Sequence, residues 1–487
     1  MKTTINIRTI LDDVIHQFSD PLAFFRELVQ NSIDAGSGEI EIELSHDGDA
    51  KAPTTQISFR DWGEGMTREI IETKLVRLFS SGKDDDLTKI GRFGIGFVSV
   101  FAIDPEAVVV DTGRDGQYWR VLFAKDRSYE LFALDEPVEG TLIRIFKPME
   151  RAAFEELKPR AQSAIVTWCK HAAVPIGFNG EDVRQDFDLP SRCKLTFEEQ
   201  GTRVVMGFAS AQNPFAGYYN RGLTLNESAR SPWPWIAFKI DSRYLEHTLT
   251  RDQIIEDRHF EKALGLLRRL ALEAMPERLI DALEGLAARA ELDADYEILC
   301  GYLVHYLVHG QRFLRAWRRR KLFKAANGQA HSLVEVQRAH KRGLLYLTGE
   351  AGALAAAFTD EHMVLLDGQG TSCRALLEKL LEQPVQVLEE RYCLPSTLPA
   401  APAQKTAALE RAIRVVLSRA NMAIDTILFV NFDPLSAQLQ RWPGLVIATS
   451  HKPVRIDGCT RPDLSQLKAG QTLLVNTSTQ GIDRLCA

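Results

Sequence analysis

The sequence predicts a multidomain α/β protein in which a two-layer α+β domain is followed by a larger α/β domain and a small α/β C-terminal domain. Its 487 residues exceed what one hydrophobic core usually organises. Segments with helical periodicity and segments with strand alternation follow each other along the chain. A proline- and alanine-rich stretch, LPSTLPAAPAQK at 394–405, is typical of a linker. We therefore expect domains at 1–150, 151–395 and 404–487.

Composition is that of an ordinary globular protein and excludes several classes. The chain is 45% hydrophobic and 25% charged, and its formal net charge of −6 argues against wholesale affinity for nucleic acid. The first residues show no basic segment followed by an apolar run, and no window approaches the ~18 apolar residues of a membrane span. The seven cysteines include no CxxC pair. We expect a cytoplasmic protein with reduced thiols and no membrane partner.

The first predicted helix lies in SDPLAFFRELVQNSIDA, residues 19–35. Asp20 is a good N-cap, and Pro21 suits the first helical position because no N–H is needed there. Helical spacing sets apolar residues on one side, namely Leu22, Phe25, Val29 and Ile33. It sets polar residues on the other side, namely Glu27, Asn31 and Asp34. From this pattern alone, the polar stripe could be a solvated face or part of a site.

A strand-end carboxylate follows. The alternating segments 40–44 and 56–61 predict half-buried strands, and the second ends in Asp61-Trp-Gly-Glu-Gly-Met66. A carboxylate fixed there can accept a hydrogen bond from an exocyclic amine, while Gly63 and Gly65 allow a flat ring to approach the backbone. An ordinary turn is the alternative reading of this motif.

A glycine-rich loop precedes an apolar helix in residues 78–103. Gly91, Gly94 and Gly96 expose backbone N–H groups at a helix N-terminus, where phosphate is favoured. The GxxGxG spacing differs from the Rossmann fingerprint, and the chain contains no P-loop sequence. Strand-like segments follow at 107–111, 118–124, 129–134 and 141–146, the last opened by Gly140-Thr141. They predict an antiparallel sheet with helices on one face.

The order of these four signals resembles the Bergerat-fold (GHKL) ATPases, the superfamily of gyrase, ninety-kilodalton heat-shock chaperones, histidine kinases and MutL-type mismatch-repair proteins. The resemblance spans roughly residues 10–147. It implies that Glu27 orients the attacking water, that Asn31 binds Mg²⁺ and that Asp61 recognises adenine. It also implies a nucleotide pocket whose members are Asn31, Asp34, Asp61, Gly63, Gly65, Met66, Ser81, Gly82, Lys83, Gly91, Arg92, Phe93, Gly94, Ile95, Gly96, Phe97 and Thr141.

Within the superfamily, IGRFGIGFVSVFAI at 90–103 is similar to the chaperones' glycine loop, and SSG at 80–82 resembles their lid. HTLTRDQ at 247–253 is similar to a middle-domain loop that delivers an arginine to the γ-phosphate, so Arg251 is the matching catalytic candidate, with a surface residue in a first helical turn as the alternative. The segment 343–367 is similar to the chaperones' distal middle domain. The sequence leaves dimerisation undecided, because little chain follows LLVNTS to supply the helices by which the chaperones dimerise. An ATP-dependent dimer is compatible with the sequence.

Two further features have competing readings. RFLRAWRRRKLFK at 312–324 is basic and aromatic, and we favour a solvated helix face with buried Phe and Trp over a phosphate-gripping surface. His305 and His309 have the spacing of a metal pair but no third ligand nearby, so we expect core or partly exposed histidines.

The leading hypothesis is an ATP- and Mg²⁺-dependent chaperone-like ATPase acting on protein clients or within a partner protein complex. The alternative is an ATP-gated switch of a nucleic-acid-acting, defence or signalling assembly. A nucleotide-binding module that hydrolyses poorly is the third reading.

Overall fold

The computed structural model describes residues 20–48, 52–76, 96–210, 213–246, 254–367, 370–397, 403–422, 424–433, 445–448, 453–455 and 472–477. The chain divides into two compact units. The first is drawn from Met1–Pro190, Leu195–Gly207 and Asn213–Ala271, and the second from Ser191–Lys194, Phe208–Gln212 and Leu272–Ala487.

The first unit contains a large and mainly antiparallel sheet. Its strands among the described residues are β1 (Ile40–Asp47), β2 (Thr54–Asp61), β3 (Ala107–Arg114), β4 (Gln117–Ala124), β5 (Tyr129–Ala133), β6 (Thr141–Pro148), β7 (Ile176–Phe178) and β8 (Glu181–Asp182). They are ordered β5-β4-β3-β6-β2-β1-β7-β8, and β1 and β7 run parallel. The register of β2 and β6 sets Asp61 opposite Thr141. Two residues 80 positions apart in the numbering are thus neighbours in the sheet.

Helices cover one face of this sheet. They are α1 (Phe24–Asp34), the short α2 (Arg68–Ile70) with its π-turn Ile71–Leu75, the 3₁₀ helix Ser99–Ile103, and α3 (Arg151–Cys169). Side chains of α1, α3 and alternate strand positions form one hydrophobic core. In β1 the buried and exposed residues alternate over its first six positions, which is the pattern of a sheet with one covered face. The expected two-layer α+β architecture is confirmed.

The start of α1 follows the predicted capping chemistry with one local difference. Asp20 accepts a hydrogen bond of 2.9 Å from the N–H of Leu22, and Pro21 occupies the first helical position. These contacts tighten the first turn, so residues Pro21–Ala23 are 3₁₀ helix and α1 begins at Phe24. The apolar side of the helix lies in the core as expected.

A second sheet, nearly all of it in the first unit, follows α3. Its strands are β9 (Lys194–Glu199), β10 (Thr202–Phe208), β11 (Phe215–Asn220), β12 (Leu223–Ser228) and β13 (Ile236–Ser242), in the order β12-β11-β13-β10-β9. The helix α4 (Arg258–Arg269) then ends in a π-turn, Leu270–Ala274. Four of these strands, β9, β10, β12 and β13, lie in segments whose alternating or apolar pattern is typical of a strand. The strand β11 was not predicted, because FAGYYN shows no alternation and contains a glycine.

The second unit is mixed α/β. Its described helices are α5 (Met275–Ala287), α6 (Ala294–Val308), α7 (Leu333–Lys341), α8 (Ala353–Ala356), α9 (Ser372–Leu381), α10 (Leu388–Arg391) and α11 (Ala403–Arg419). The strands β14 (Lys321–Lys324) and β15 (Ala330–Ser332) form a hairpin. A parallel sheet has the order β17-β16-β18 and comprises β16 (Leu345–Thr348), β17 (Met363–Leu366) and β18 (Gln386–Val387). The segment 343–367 thus folds as a strand, a short helix and a second strand.

The C-terminal sheet includes part of the stretch that we interpreted as a linker. Its strands are β19 (Tyr392–Thr397), β20 (Thr426–Asp433), β21 (Leu445–Ala448), β22 (Val454–Arg455) and β23 (Thr472–Asn476), in the order β21-β23-β20-β19-β22. The linker interpretation was wrong for residues 394–397, which pair with β20. Pro395 is tolerated in β19 although it brings no N–H to the ladder.

The basic segment 312–324 is not a helix face, so that expectation was wrong. It forms a 3₁₀ turn, Arg315–Arg319, followed by β14. Trp317 is buried and donates a 2.7 Å hydrogen bond to Glu277, which fixes the turn, while Phe323 is buried in the hairpin. The burial of Trp and Phe is as expected.

The remaining side-chain predictions concern cysteines and histidines. Within the described ranges the cysteines are buried free thiols, namely Cys169, Cys193, Cys300, Cys373 and Cys393. The rings of His305 and His309 lie 4.5 Å apart, and no cluster of three or more metal-ligating side chains occurs in the described part of the chain. No helix there is long and apolar enough to cross a membrane.

Candidate functional site

The carboxylate of Asp61 is fixed at the end of β2 by three donors. Ser32 Oγ donates to Oδ2 over 3.0 Å, and the Gly63 N–H donates to Oδ1 over 2.9 Å. The Thr141 backbone N–H also donates to this carboxylate. Asp61 is only 6% exposed, and burial raises its pKa above the usual range, against the opposing effect of the three hydrogen bonds. The result is an oriented acceptor in a dry environment.

The hydroxyl of Thr112 joins three parts of the same site. The Met66 N–H donates to Thr112 Oγ1 over 2.9 Å, and Thr112 Oγ1 lies 3.1 Å from both the Gly140 carbonyl oxygen and the Thr141 hydroxyl oxygen. Thr112 is fully buried in β3, opposite Thr141 in the sheet register. Sequence reasoning missed Ser32 and Thr112, because only the helix packing brings Ser32 to the Asp61 carboxylate and only the strand order brings Thr112 to Thr141.

The loop after Asp61 is held by close backbone packing. Gly65 has φ +65°, and a Cβ there would lie 2.1 Å from the Gly113 carbonyl oxygen. The Glu64 N–H donates 2.9 Å to the Ala35 carbonyl oxygen, so the loop also contacts the end of α1. Glycine at position 65 is therefore required for both space and backbone conformation.

The polar side of α1 meets the end of the glycine-rich loop. Glu27 is 3% exposed, and a Cβ on Gly96 would lie 2.7 Å from Glu27 Oε2. Gly96 opens the helical run 96–98 that continues into the 3₁₀ helix. A solvated face, the alternative for this stripe, is wrong at Glu27, because the carboxylate is enclosed between α1 and the loop end.

Asn31 and Asp34 follow Glu27 along the same side of α1. Asn31 is partly buried and lies one turn beyond Glu27, while Asp34 forms an ion pair with Arg221 of the second sheet. Mg²⁺ in nucleotide sites takes one or two protein oxygen ligands besides phosphate oxygens and water. A partly buried amide beside a buried carboxylate fits that donor set.

Two other predicted members differ in what they present. The Phe97 side chain lies in the core, with its ring centroid 5.4 Å from that of Phe123, so only its backbone is available to a nucleotide. Met66 is partly buried, packs against the core and donates its N–H to Thr112. Neither side chain offers a polar contact to a nucleotide.

The remaining predicted site residues lie outside the described residues. They are the lid residues Ser81, Gly82 and Lys83, the loop residues Gly91, Arg92, Phe93, Gly94 and Ile95, and the candidate arginine Arg251.

The comparison with protein families places this site in a class. Residues 24–128 match the family described as "Histidine kinase-, DNA gyrase B-, and HSP90-like ATPase". The matched range includes α1, Asp61, Gly96 and Thr112, whereas Gly140 and Thr141 lie beyond it. The chain therefore contains a GHKL ATPase domain.

Similar curated proteins indicate the branch of the superfamily to which this domain is related. The chain is 26% identical over 208 residues to "Chaperone protein HtpG" of Rhodospirillum rubrum, covering 36% of this chain and 32% of the relative. It is 29% identical over 212 residues to the HtpG of Anaplasma phagocytophilum, covering 37% of this chain and 32% of the relative. It is 30% identical over 238 residues to the HtpG of Chlorobium luteolum, covering 42% of this chain and 37% of the relative. The matches span about a third of each chaperone's length. The ATPase domain is thus related to the ninety-kilodalton heat-shock chaperones.

Proposed function

We propose that this protein binds ATP with Mg²⁺, hydrolyses it to ADP and phosphate, and uses lid closure and hydrolysis to drive a conformational change that acts on protein clients. The observation that supports this most strongly is the Asp61 carboxylate, which is buried, fixed by three donors and joined through Ser32 to the helix that presents Glu27 and Asn31. A base-binding group and a phosphate-handling helix are thereby connected within one site.

At the base end, Asp61 accepts a hydrogen bond from the exocyclic amine of adenine. An ionised carboxylate can only accept, and adenine offers a donor at the position where guanine offers an acceptor. Gly63 and Gly65 let the loop after Asp61 pack closely against Ala35 and Gly113, which fixes the position of the strand end. Thr141, the partner of Asp61 in the sheet register, supplies a hydroxyl on the same site. This arrangement selects ATP over GTP.

At the triphosphate end, Glu27 orients the attacking water and accepts its proton. The enclosed position of Glu27 beside Gly96 holds the carboxylate near the loop that would bind the phosphates. Asn31 would hold Mg²⁺, which when bound neutralises charge on the phosphate oxygens. The proposal also assigns the phosphate loop to residues 91–97, the lid to Ser81, Gly82 and Lys83, and the γ-phosphate contact to Arg251.

The domain organisation in this proposal keeps the ATPase domain at 1–150, the middle domain at 151–395 and the C-terminal domain at 404–487. Docking of the middle domain through Arg251 would couple hydrolysis to closure, and an arginine of this kind contributes about 10³–10⁵ in rate in phosphoryl-transfer enzymes. ATP-dependent dimerisation belongs to the same proposal.

The nucleic-acid switch is less well supported. Its candidate surface was the basic segment 312–324, in which two of the cations are paired with carboxylates. Arg320 pairs with Asp281 and Glu284, and Lys321 pairs with Glu335. These carboxylates reduce the positive potential available to a phosphate backbone.

Suppression of thermal aggregation of a model substrate protein tests the proposal. ATP-dependent suppression by the parent, lost in Glu27→Ala, is the expected result. Salt-sensitive binding of DNA or RNA that disappears when Arg318, Arg319 and Arg320 are changed to Ala would instead favour the switch. A rise in melting temperature with ATP but no phosphate release would favour a non-hydrolysing module.

A further inference from the structure

An arginine of the second sheet contacts the polar side of the helix α1. Arg221 lies in the tight turn between β11 and β12, and its guanidinium Nη1 pairs with Asp34 Oδ1, 187 positions away in sequence. Asp34 is in the same polar stripe as Glu27 and Asn31. The first unit therefore contains a direct charged contact between the second sheet and the proposed nucleotide helix.

The turn that presents Arg221 is built to hold it. Arg221 has φ +51°, a left-handed conformation that non-glycine residues adopt rarely. Gly222 has φ +80°, and a Cβ there would lie 2.0 Å from the His171 carbonyl oxygen. The partly buried Asp241 carboxylate accepts the Gly222 N–H over 3.1 Å and also the Arg221 N–H. A disfavoured backbone conformation is thus retained by specific contacts at the place where a side chain reaches another element.

The strand that follows this turn, β12, contacts the helix α3 of the same unit. In β12, Thr224 Oγ1 donates 2.8 Å to the Thr167 carbonyl oxygen of α3, and Glu227 pairs with Lys170 over 2.7 Å. The helix α3 contributes to the core in which α1 is packed. The Arg221 contact differs from these anchors because it reaches the polar side of α1, where a nucleotide would act.

We propose that Arg221 is a positioning residue that holds the nucleotide helix through Asp34 and transmits nucleotide occupancy from α1 to the β11–β12 turn. The inference rests on the proposed function and deepens it. A displacement of α1 on nucleotide binding changes the Asp34–Arg221 geometry, and by linkage the state of this pair changes nucleotide affinity. Neutralisation of Asp34 by Arg221 also removes repulsion between that carboxylate and the triphosphate.

Two variants separate positioning from a merely structural role. Arg221→Gly removes the guanidinium and suits φ +51°, so its melting temperature should stay close to that of the parent. Arg221→Lys keeps the charge and should restore part of the effect. Arg184→Ala, which breaks a loop arginine–aspartate pair with Asp182 in the same unit, is the matched control.

Amide hydrogen exchange with and without a non-hydrolysable ATP analogue is the test, accompanied by steady-state ATPase kinetics. In the parent and in Arg184→Ala, the analogue should slow exchange in α1 and change exchange at residues 220–223. In Arg221→Gly the α1 response should persist while the response at 220–223 is lost, and KM should rise by about 2- to 5-fold, as expected for an exposed ion pair.

The outcomes distinguish this inference from the proposed function. If the analogue protects α1 in Arg221→Gly and still changes exchange at 220–223 as in the parent, the role of Arg221 is overturned and the proposed function stands. The same conclusion follows if the analogue protects α1 in the parent but leaves exchange at 220–223 unchanged. Absence of any response at α1 in the parent overturns the proposed function and this inference with it.

Discussion

Ser32 donates a 3.0 Å hydrogen bond to Asp61, a residue 29 positions further along the chain, and so links α1 directly to the strand end that carries the proposed base-binding carboxylate. The same hydroxyl oxygen lies 3.0 Å from the Leu28 carbonyl oxygen within the helix. Movement of α1 and orientation of the carboxylate are therefore mechanically connected, which makes Ser32 a sensitive position for both.

The pH dependence of nucleotide affinity should report the raised pKa of Asp61. Adenine binding requires the ionised carboxylate, so affinity should fall as pH decreases through that pKa, at a pH above the ~3.9 of an ordinary aspartate. Ser32→Ala removes a donor that stabilises the charged form and should move this fall to higher pH. Fluorescence titration with a labelled ATP analogue measures it, with the exposed-site variant Ser128→Ala as control. A fall that moves to lower pH, or does not move, contradicts the assigned hydrogen bond.

Loss of the Glu27 carboxylate should impair turnover and leave binding intact. Glu27→Gln preserves the volume of this buried side chain and removes the general base, so kcat should decrease by about 10²–10⁴. Phosphate release gives kcat, and calorimetry with the non-hydrolysable analogue gives affinity. Glu43→Gln on the exposed side of β1 should behave as the parent. Near-parental turnover in Glu27→Gln would remove this residue from the mechanism.

Two glycine substitutions should fail for different reasons. In Gly96→Ala the added Cβ would lie 2.7 Å from Glu27 Oε2, so the carboxylate must move. Turnover should therefore fall, while the melting temperature should change little. In Gly65→Ala the added Cβ would lie 2.1 Å from the Gly113 carbonyl oxygen, and residue 65 has φ +65°, which alanine rarely adopts. The melting temperature of this variant should therefore fall. Thermal unfolding and kinetics on both variants form the test. A fall in melting temperature in Gly96→Ala, or an unchanged melting temperature in Gly65→Ala, would contradict this description of the loop packing.

The buried His171 should make stability depend on pH. Its Nδ1 lies 2.9 Å from the Gln185 carbonyl oxygen and its Nε2 lies 3.0 Å from Lys239 Nζ, and burial lowers the pKa of His171 to about 4. The unfolded chain binds a proton near pH ~6.5, so protonation favours unfolding, and stability should fall between about pH 6.5 and 4. Melting temperatures at pH 7.5 and 5 should differ less in His171→Gln than in the parent. Equal differences in the two proteins would contradict a neutral buried imidazole.

Local signals allowed much of the first domain to be predicted from sequence. The cap at Asp20, the amphipathic pattern of α1 and the alternation in β1 and β2 are properties of short segments, and they match the observed elements. Asp61 could be proposed from its strand-end position.

Contacts between distant segments could not be predicted in this way. Thr112 contacts Thr141 only because β3 and β6 are neighbours in the sheet. Arg221 reaches Asp34 of α1 only because the turn after β11, a strand without sequence alternation, lies beside that helix. The basic segment was misread because Trp317 and Glu277 fix a turn that periodicity does not encode.

The central claim is tested most directly by calorimetry of ATP binding to the intact protein in the presence of Mg²⁺, using the parent and Asp61→Asn. Asparagine keeps the size of the side chain but loses the charge, and its amide cannot accept from every donor that surrounds this position. The account predicts Mg²⁺-dependent ATP binding by the parent and a loss of about 10- to 100-fold in Asp61→Asn. No ATP binding by the parent, or equal affinity in the two proteins, would contradict it.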